Sequence, residues 1–434
     1  MRYIHIQFHL LWLRAKIVKN EKKLSSRVLK EGAGIFSMAQ NDPEPAIEEI
    51  DYLLERRKTG RFLYENFKSW RETGIFEYRE IKPVRPTLGD LEHLTFLNIF
   101  THSFLYMSPS FVTWNYKLGK LLGYFSAEEA LAALRLKSLV SLLRKSGFFW
   151  MLLKDRRVQE AMKKGWMEAG GAILEFDHID KERKRIICTM KETAASAIEG
   201  VEHPICYFEV GILSGQIEYL CGGLWDGIEK RCVARGDPFC LVEIYQHKEE
   251  ISPEMPPLTR EELDSILNQY ISIALSTEKD MGRKELKNFS TISLSQSINY
   301  IILSRSRGHR IFVRFSGRNV GERIAKKVGL TDLSASLEYL RKLFFELKVG
   351  IMEPEFNLEK ITIKMKESVY SSGVNNIHMK LCAFISGIIE GCLNEATKTT
   401  WLVEETKCIA NGDSYCEFEC KTQEPEILKR LLLG

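Results

Sequence analysis

Residues 206–240 read CYFEVGILSGQIEYLCGGLWDGIEKRCVARGDPFC, and residues 382–416 read CAFISGIIEGCLNEATKTTWLVEETKCIANGDSYC. The second stretch follows the first at a constant offset of 176 residues. Identical positions, in the numbering of the first stretch, include Cys206, Phe208, Gly211, Ile212, Gly215, Trp225, Glu229, Cys232, Ala234, Gly236, Asp237 and Cys240. Self-similarity at a fixed, domain-sized period indicates a duplicated unit. The sequence therefore predicts two homologous domains.

The chain length agrees with this division, because 434 residues exceed what one hydrophobic core usually serves. Apolar residues make up 44% and charged residues 28%, which is typical of a globular protein. We divide the chain into a basic N-terminal extension (1–37), a first domain with extra N-terminal helices (38–250) and a second domain (251–434). The proline-rich segment Ser252–Pro257 marks the boundary.

The small positive charge of the chain comes from its N-terminus. The net charge is +4, whereas residues 1–40 alone hold eight Lys/Arg against two Glu. The remainder is slightly negative, so direct nucleic-acid binding is not expected. No apolar run approaches the roughly 20 residues of a membrane span, and no signal-peptide pattern is present. We therefore expect a cytoplasmic protein without a transmembrane segment.

Local signals around the repeat predict an α/β fold of the α+β type. Ala172 to Phe176 and Arg185 to Met190 have strand patterns, a helix is expected from Cys206 to about Leu220, and the turn Arg235 to Pro238 separates two further strands. Each domain should thus hold a small antiparallel sheet with flanking helices.

Two finer signals concern the helices. Gly211 and Gly215 lie four residues apart on one helix face and predict that another backbone comes close there. Ser126 with Glu129 has the pattern of a capping box, which predicts a helix that begins at Ser126.

Three cysteines and one glutamate recur in both copies and have the chemistry of a metal site. Cys232 and Cys240 lie symmetrically about Gly236, so the hairpin should bring their sulfurs together. Cys206, at a helix N-terminus, should gain thiolate character there. Glu229 lies three residues before Cys232, and on a regular strand these two side chains point to opposite faces. Glu229 can therefore reach the cysteines only if the strand is bulged or begins after it, and we predict such an irregularity in both copies.

A Cys3Glu set favours zinc, and four protein ligands indicate a structural metal. We predict two zinc ions per chain, held by Cys206, Glu229, Cys232 and Cys240, and by Cys382, Glu405, Cys408 and Cys416. The alternatives are that these cysteines are buried thiols without a ligand role or form disulfides.

The stretch Glu404 to Phe418 resembles the C-terminal signature of the 4-vinyl reductase domain, and Ile228 to Cys240 is similar. The resemblance implies a small α/β domain related to haem nitric-oxide-binding domains and Golgi tethering subunits. Members of this family include the sensory domains of phenol- and xylene-responsive transcription activators, in which a zinc held by three Cys and one Glu lies beside an apolar ligand pocket. An accessory protein of bacteriochlorophyll synthesis is another member. Carried over by position, the resemblance implies the same two ligand sets.

Three functions are compatible with the sequence. The first is a zinc-stabilised binding or sensory protein for a small hydrophobic or aromatic molecule, which signals to a partner protein. The second is an enzyme or accessory factor acting on a vinyl or tetrapyrrole substrate; no nucleotide fingerprint or paired acid–base group supports it, so an enzyme is the less favoured interpretation. The third is a structural adaptor, in which the Gly-x3-Gly helix could serve packing or a homodimer.

Overall fold

The computed structural model describes residues 83–107, 111–133, 140, 150–247, 258–305, 307–357, 360–374 and 376–422. The extension 1–37 and the segment Ser252–Pro257 lie outside the described residues. We call the described residues up to 247 the first repeat and those from 258 onward the second repeat. Both belong to one compact unit.

Helices and short strands alternate along the chain. The helices are α1 (Leu94–Met107), α2 (Phe111–Ala133), α3 (Trp150–Lys154), α4 (Arg156–Glu168), α5 (Tyr207–Cys221), α6 (Arg260–Leu275), α7 (Ile292–Arg305), α8 (Arg307–Val328), α9 (Leu333–Glu346) and α10 (Ala383–Thr397). The strands are β1 (Leu91–His93), β2 (Ile173–Asp180), β3 (Arg185–Lys191), β4 (Leu224–Arg231), β5 (Cys240–His247), β6 (Phe289–Thr291), β7 (Ile351–Phe356), β8 (Ile361–Lys366), β9 (Trp401–Lys407) and β10 (Cys416–Thr422).

Each repeat builds one four-stranded antiparallel sheet. The strand orders are β2-β3-β5-β4 and β7-β8-β10-β9, so the two sheets have the same topology. In β8 the alternate residues Ile361, Ile363 and Met365 are fully buried, as expected for a strand with one face on a core. The predicted fold class, two homologous domains of sheet and flanking helices, is confirmed.

In each repeat two helices cross at glycines that allow their backbones to touch. A Cβ atom on Gly215 of α5 would lie 1.9 Å from the carbonyl oxygen of Lys120 in α2, and one on Gly119 of α2 would lie 2.2 Å from the oxygen of Phe208. The close approach predicted for Gly211 and Gly215 is confirmed. The second repeat has the same crossing between α8 and α10, through Gly317, Gly321, Gly387 and Gly391.

The two repeats exchange their N-terminal segments. The carboxylate of Glu367, just after β8, accepts hydrogen bonds from the backbone of Thr87 and Leu88 in the first repeat. The carboxylate of Glu192, just after β3, accepts the equivalent bonds from residues 284–286 in the second repeat. Between these contacts β1 pairs with β6, with Glu92 opposite Ser290.

Aromatic side chains extend this exchange into the core. Phe100 of α1 lies 4.9 Å from Phe384 and 5.3 Å from Tyr370, ring centroid to ring centroid. In the other direction, the Tyr270 hydroxyl of α6 donates to the carbonyl of Ala194. Residues on either side of the boundary between 250 and 251 therefore contribute to the same cores. The division of the sequence into domains 38–250 and 251–434 stays a prediction.

One helix prediction is wrong. Ser126 lies inside α2 rather than at its start, and its hydroxyl donates to the carbonyl of Gly123. The helix that reaches it begins at Phe111, because the crossing with α5 requires a continuous helix through Gly119 and Gly123. Among the described helices, none combines the length and the apolar character that a membrane crossing requires.

Candidate metal centres

Each repeat brings its four predicted ligand residues to one buried point. In the first repeat Cys206 is the residue that precedes α5, Glu229 lies in β4, and Cys240 begins β5. The last pair of the β4–β5 ladder is Arg231 with Leu241, so Cys232 and Cys240 come next, at the open end of the hairpin. The ligand atoms of Cys206, Glu229, Cys232 and Cys240 lie within 4.8 Å of one another, as do those of Cys382, Glu405, Cys408 and Cys416.

A bulge turns the glutamate toward the sulfurs. In the first repeat Glu229 pairs with Val242 but Arg231 pairs with the next residue, Leu241, which leaves Lys230 without a partner in the ladder. In the second repeat the register shifts in the same place and Thr406 is the extra residue. One extra residue puts the glutamate and the following cysteine on the same side of the strand. The predicted irregularity is confirmed in both copies.

The spacing of the sulfur atoms fits a tetrahedral ion. In the first cluster Cys206 Sγ lies 3.6 Å from Cys240 Sγ and 4.0 Å from Cys232 Sγ. In the second cluster Cys416 Sγ lies 3.6 Å from Cys382 Sγ and 3.9 Å from Cys408 Sγ. Four ligands about 2.3 Å from one zinc ion are separated by about 3.8 Å, the edge of the tetrahedron. All ten cysteines are buried, and none of them forms a disulfide.

A carboxylate oxygen in the first cluster lacks a partner. Glu229 Oε2 accepts a hydrogen bond of 2.9 Å from the amide of Cys206. Its other oxygen, Oε1, is buried and has no hydrogen-bond partner among the described residues. An unpartnered buried carboxylate oxygen is costly, and a cation between it and three sulfurs would remove that cost. This cluster therefore fits a metal ion on its own geometry.

Without a cation, each cluster favours one thiolate among neutral groups, because hydrogen bonds from the other two thiols lower the pKa of Cys232 and that of Cys416. Burial, and then the nearby Cys232 sulfur, raise the pKa of Glu229 well above its usual range, and burial also raises the pKa of Glu405. The pKa of the Cys206 thiol is raised, because it hydrogen-bonds to Cys232 and Cys240 and is buried. The thiolate character expected for Cys206 stays a prediction for the metal-bound site. A divalent cation would reverse this preference by its own charge.

Several residues that support the clusters were not predicted. The backbone amide of Cys232 donates to Asp237 Oδ2, and that of Cys408 donates to Asp413 Oδ2, each over 2.9 Å. These contacts explain why the Gly-Asp pair recurs. Thr193 lies 3.8 Å from the sulfur of Cys240.

Hydroxyl groups also approach the sulfurs of the second cluster. Ser368 Oγ lies 3.3 Å from Cys382 Sγ, and Ser371 Oγ lies 3.1 Å from Cys416 Sγ. The sequence carried a signal for the first of these, since Met365–Ser368 repeats the Met-Lys-Glu-hydroxyl pattern of Met190–Thr193.

A small apolar cavity lies between the repeats, apart from both clusters. Its volume is about 10 Å³, and its lining comes from α1, α2 and α7, including Thr101, Phe104, Trp114, Ile298 and Ile302. This space suffices for about one water molecule. A larger guest would have to displace the aromatic side chains.

Comparison with known proteins assigns the duplicated unit. The model of the 4-vinyl reductase domain matches residues 189–246 and 361–422, and these two ranges contain all eight clustered residues. The chain carries two 4-vinyl reductase domains. The order of elements and the paired sheets agree with this assignment.

Similar proteins come from Methanocaldococcus jannaschii. MJ0150 is 25% identical over 142 residues, which cover 32% of this chain and 81% of that protein. MJ0855 is 29% identical over 188 residues, which cover 42% of this chain and 77% of that protein. Both are named as uncharacterized proteins.

Solved structures similar to this tandem 4-vinyl reductase protein include two sensory or reductase-family domains. One is the phenol-responsive sensory domain of the transcription activator PoxR with phenol, at 16% identity and a TM-score of 0.27, covering 36% of this chain and 90% of that one. The other is a vinyl-4-reductase family protein of M. jannaschii, at 21% identity and a TM-score of 0.27, covering 36% of this chain and 94% of that one.

Proposed function

We propose that the protein is a zinc-stabilised tandem 4-vinyl reductase domain protein that binds a small hydrophobic or aromatic molecule and passes its bound state to a partner protein. The observation that carries the proposal is the duplicated cluster of three buried sulfurs and one carboxylate, with Glu229 Oε1 left unpartnered among the described residues. Each 4-vinyl reductase domain contains one such cluster.

The donor set supports zinc as a structural ion. Thiolates with one carboxylate suit a borderline-soft ion, and four protein ligands leave no open position for water. Cys206, Cys232 and Cys240 would supply the sulfurs and Glu229 the oxygen, and the equivalent residues would do so in the second repeat. The ion would join a helix N-terminus to the end of a hairpin, so it would stabilise the domain rather than act on a substrate. Cysteines that form no disulfides suit a reducing compartment, and we propose the cytoplasm.

The lining of the small cavity between the repeats favours an apolar ligand over a polar one, and such a ligand would have to displace side chains to fit. Phe104 and Trp114 offer aromatic surfaces there, and the polar lining is limited to groups such as Thr101. Because α1, α2 and α7 come from both repeats, a molecule that enlarges this cavity would change how the repeats pack. That change is the means by which the ligand could alter a partner surface.

The exposed face of α8 supports a protein partner. Ile311 is 60% exposed and Phe315 is 50% exposed, and they lie four residues apart on one side of the helix. Neighbouring exposed apolar side chains of this size often mark a contact surface.

Ligand binding can be tested with phenol and toluene as probes, by calorimetric titration of the full chain. Ile298→Phe fills the cavity and should abolish binding, whereas Phe104→Leu enlarges it and should strengthen binding. Ile311→Phe is the matched control, because it makes the same change on an exposed position and should leave binding unchanged. Failure of the wild-type protein to bind either probe, or unchanged binding by Ile298→Phe, would contradict this site.

A further inference from the structure

The two clusters differ at the glutamate. In the second repeat Arg310 Nη2 donates to Glu405 Oε2 over 2.7 Å, and Arg310 Nη1 donates to the carbonyl of Lys380 over 2.6 Å. Lys380 Nζ in turn donates to the main-chain oxygen of Glu405 over 2.9 Å. The amide of Cys382 completes the set, with contacts of 3.1 Å to Glu405 Oε2 and 3.2 Å to Glu405 Oε1. Two cationic side chains thus hold the side chain and the backbone of this glutamate.

The first repeat has uncharged residues at the positions of both cations. The crossing glycines align α2 with α8 at an offset of 198 residues, Gly119 on Gly317, which places Val112 at the position of Arg310. The offset of 176 residues places Pro204 at the position of Lys380. Glu229 Oε2 accepts from the Cys206 amide, and Glu229 Oε1 has no partner among the residues that the structure describes.

We propose that Arg310 is a positioning residue that keeps Glu405 in place as the fourth metal ligand, so that the second site releases its metal more slowly than the first. The inference rests on the zinc of the proposed function. Release of a four-coordinate ion requires one ligand to move away. The carboxylate is the one ligand that binds through oxygen rather than sulfur, so we expect it to leave first. Arg310 binds the carboxylate through Oε2, and Oε1, which accepts a bond of 3.2 Å from the Cys382 amide, keeps a lone pair for an ion. Contacts of this kind to a metal-bound side chain commonly change metal affinity about 10–100-fold.

The test follows metal loss from the full chain, purified with its metal, after addition of excess EDTA. Native mass spectrometry counts the ions over time, and brief alkylation with mapping by mass spectrometry identifies the exposed thiols. The wild-type protein should pass through a one-metal species in which Cys206, Cys232 and Cys240 are alkylated and the second set is protected. Arg310→Val, which installs the residue type of the first repeat, should release the last ion about 10–100-fold faster.

Two further variants separate positioning from a general effect on the fold. Arg310→Lys keeps the charge but loses the forked contact, so its release rate should fall between those of the wild type and Arg310→Val. Arg341→Val removes an exposed arginine that pairs with Glu338 on α9, and it should leave both rates unchanged. Each variant should still carry two ions before EDTA is added.

The outcomes distinguish this inference from the proposed function. If Arg310→Val releases its last ion at the wild-type rate, or if Cys382, Cys408 and Cys416 are alkylated first, the positioning role is wrong while the zinc sites stand. Simultaneous loss of both ions from the wild type would also overturn it. A wild-type protein purified without metal would overturn the zinc sites, and this inference with them.

Discussion

Lys120 is the cation on which the buried charges of the first repeat depend. It is 8% exposed, and its Nζ lies 2.9 Å from Asp226 Oδ1 and 3.1 Å from Glu218 Oε2. The Tyr116 hydroxyl donates to the same oxygen of Asp226 over 2.7 Å. Two buried carboxylates therefore share one ammonium group, and His247 Nε2 lies 3.0 Å from the other oxygen of Asp226. Lys120 is the partner that both carboxylates have in common, so their burial depends mainly on it.

Lys120→Met should consequently be strongly destabilising. The substitution keeps an unbranched side chain of similar length but removes the ammonium group that Asp226 and Glu218 share, and removing one partner of a buried ion pair typically costs about 3–5 kcal/mol. Lys163→Met is the control, because Lys163 pairs with Glu175 at the surface, where a pair is worth about 0–1 kcal/mol. Urea unfolding of both variants measures the difference, and equal midpoints would contradict the role of Lys120.

The sequence predicted which residues form the two clusters but not the charges around them. The eight positions follow from the fixed spacing of the repeat. The bulge follows because residues i and i+3 of a regular strand point to opposite faces. The partners of Lys120 and Arg310 lie about 100 residues away along the chain, on a helix or strand that only the fold brings near. No local pattern indicates such contacts.

The crossing of α2 with α5 shows how two elements depend on residues without side chains. A Cβ atom on Gly215 would meet the Lys120 carbonyl oxygen at 1.9 Å and the amide nitrogen of Tyr124 at 2.8 Å. These are backbone atoms of another helix, so only a shift of the whole helix could make room.

Gly215→Ala should therefore reduce stability, by about 1–3 kcal/mol, as is usual when a close-packed interior is overfilled. Gly165→Ala is the matched control in α4, where an added Cβ would meet nothing within 4 Å. That substitution should instead raise stability by about 0.5–1 kcal/mol, because alanine favours a helix more than glycine. Thermal unfolding of the two variants gives the comparison, and a change of the same sign in both would contradict the crossing.

Element boundaries were predicted less well than element types. The spacing of Gly211 and Gly215 indicated a close contact, but nothing in the sequence identified α2 as the second helix. The Ser126–Glu129 pattern indicated a helix start inside α2, since the same residue types that cap a helix are tolerated within one when tertiary packing continues it.

On the scale of the molecule, the exchange of segments makes the two repeats interdependent. Residues 284–286 complete the end of the first sheet through Glu192, and Thr87 and Leu88 complete the second through Glu367. The sequence could not predict this exchange, because a segment has the same local pattern whichever sheet it binds. Among the described strands, the three-residue β1 and β6 are the ones that pair across the two halves.

We propose that each 4-vinyl reductase domain holds one structural zinc ion, and this proposal can be tested without any ligand. The most direct measurement is the metal content of the purified full chain, by elemental analysis combined with native mass spectrometry. Two zinc ions per chain are expected for the wild type, and one for the double variant Cys232→Ser, Cys240→Ser, which retains the second cluster intact. A wild-type chain without metal, or a double variant that still carries two ions, would contradict it.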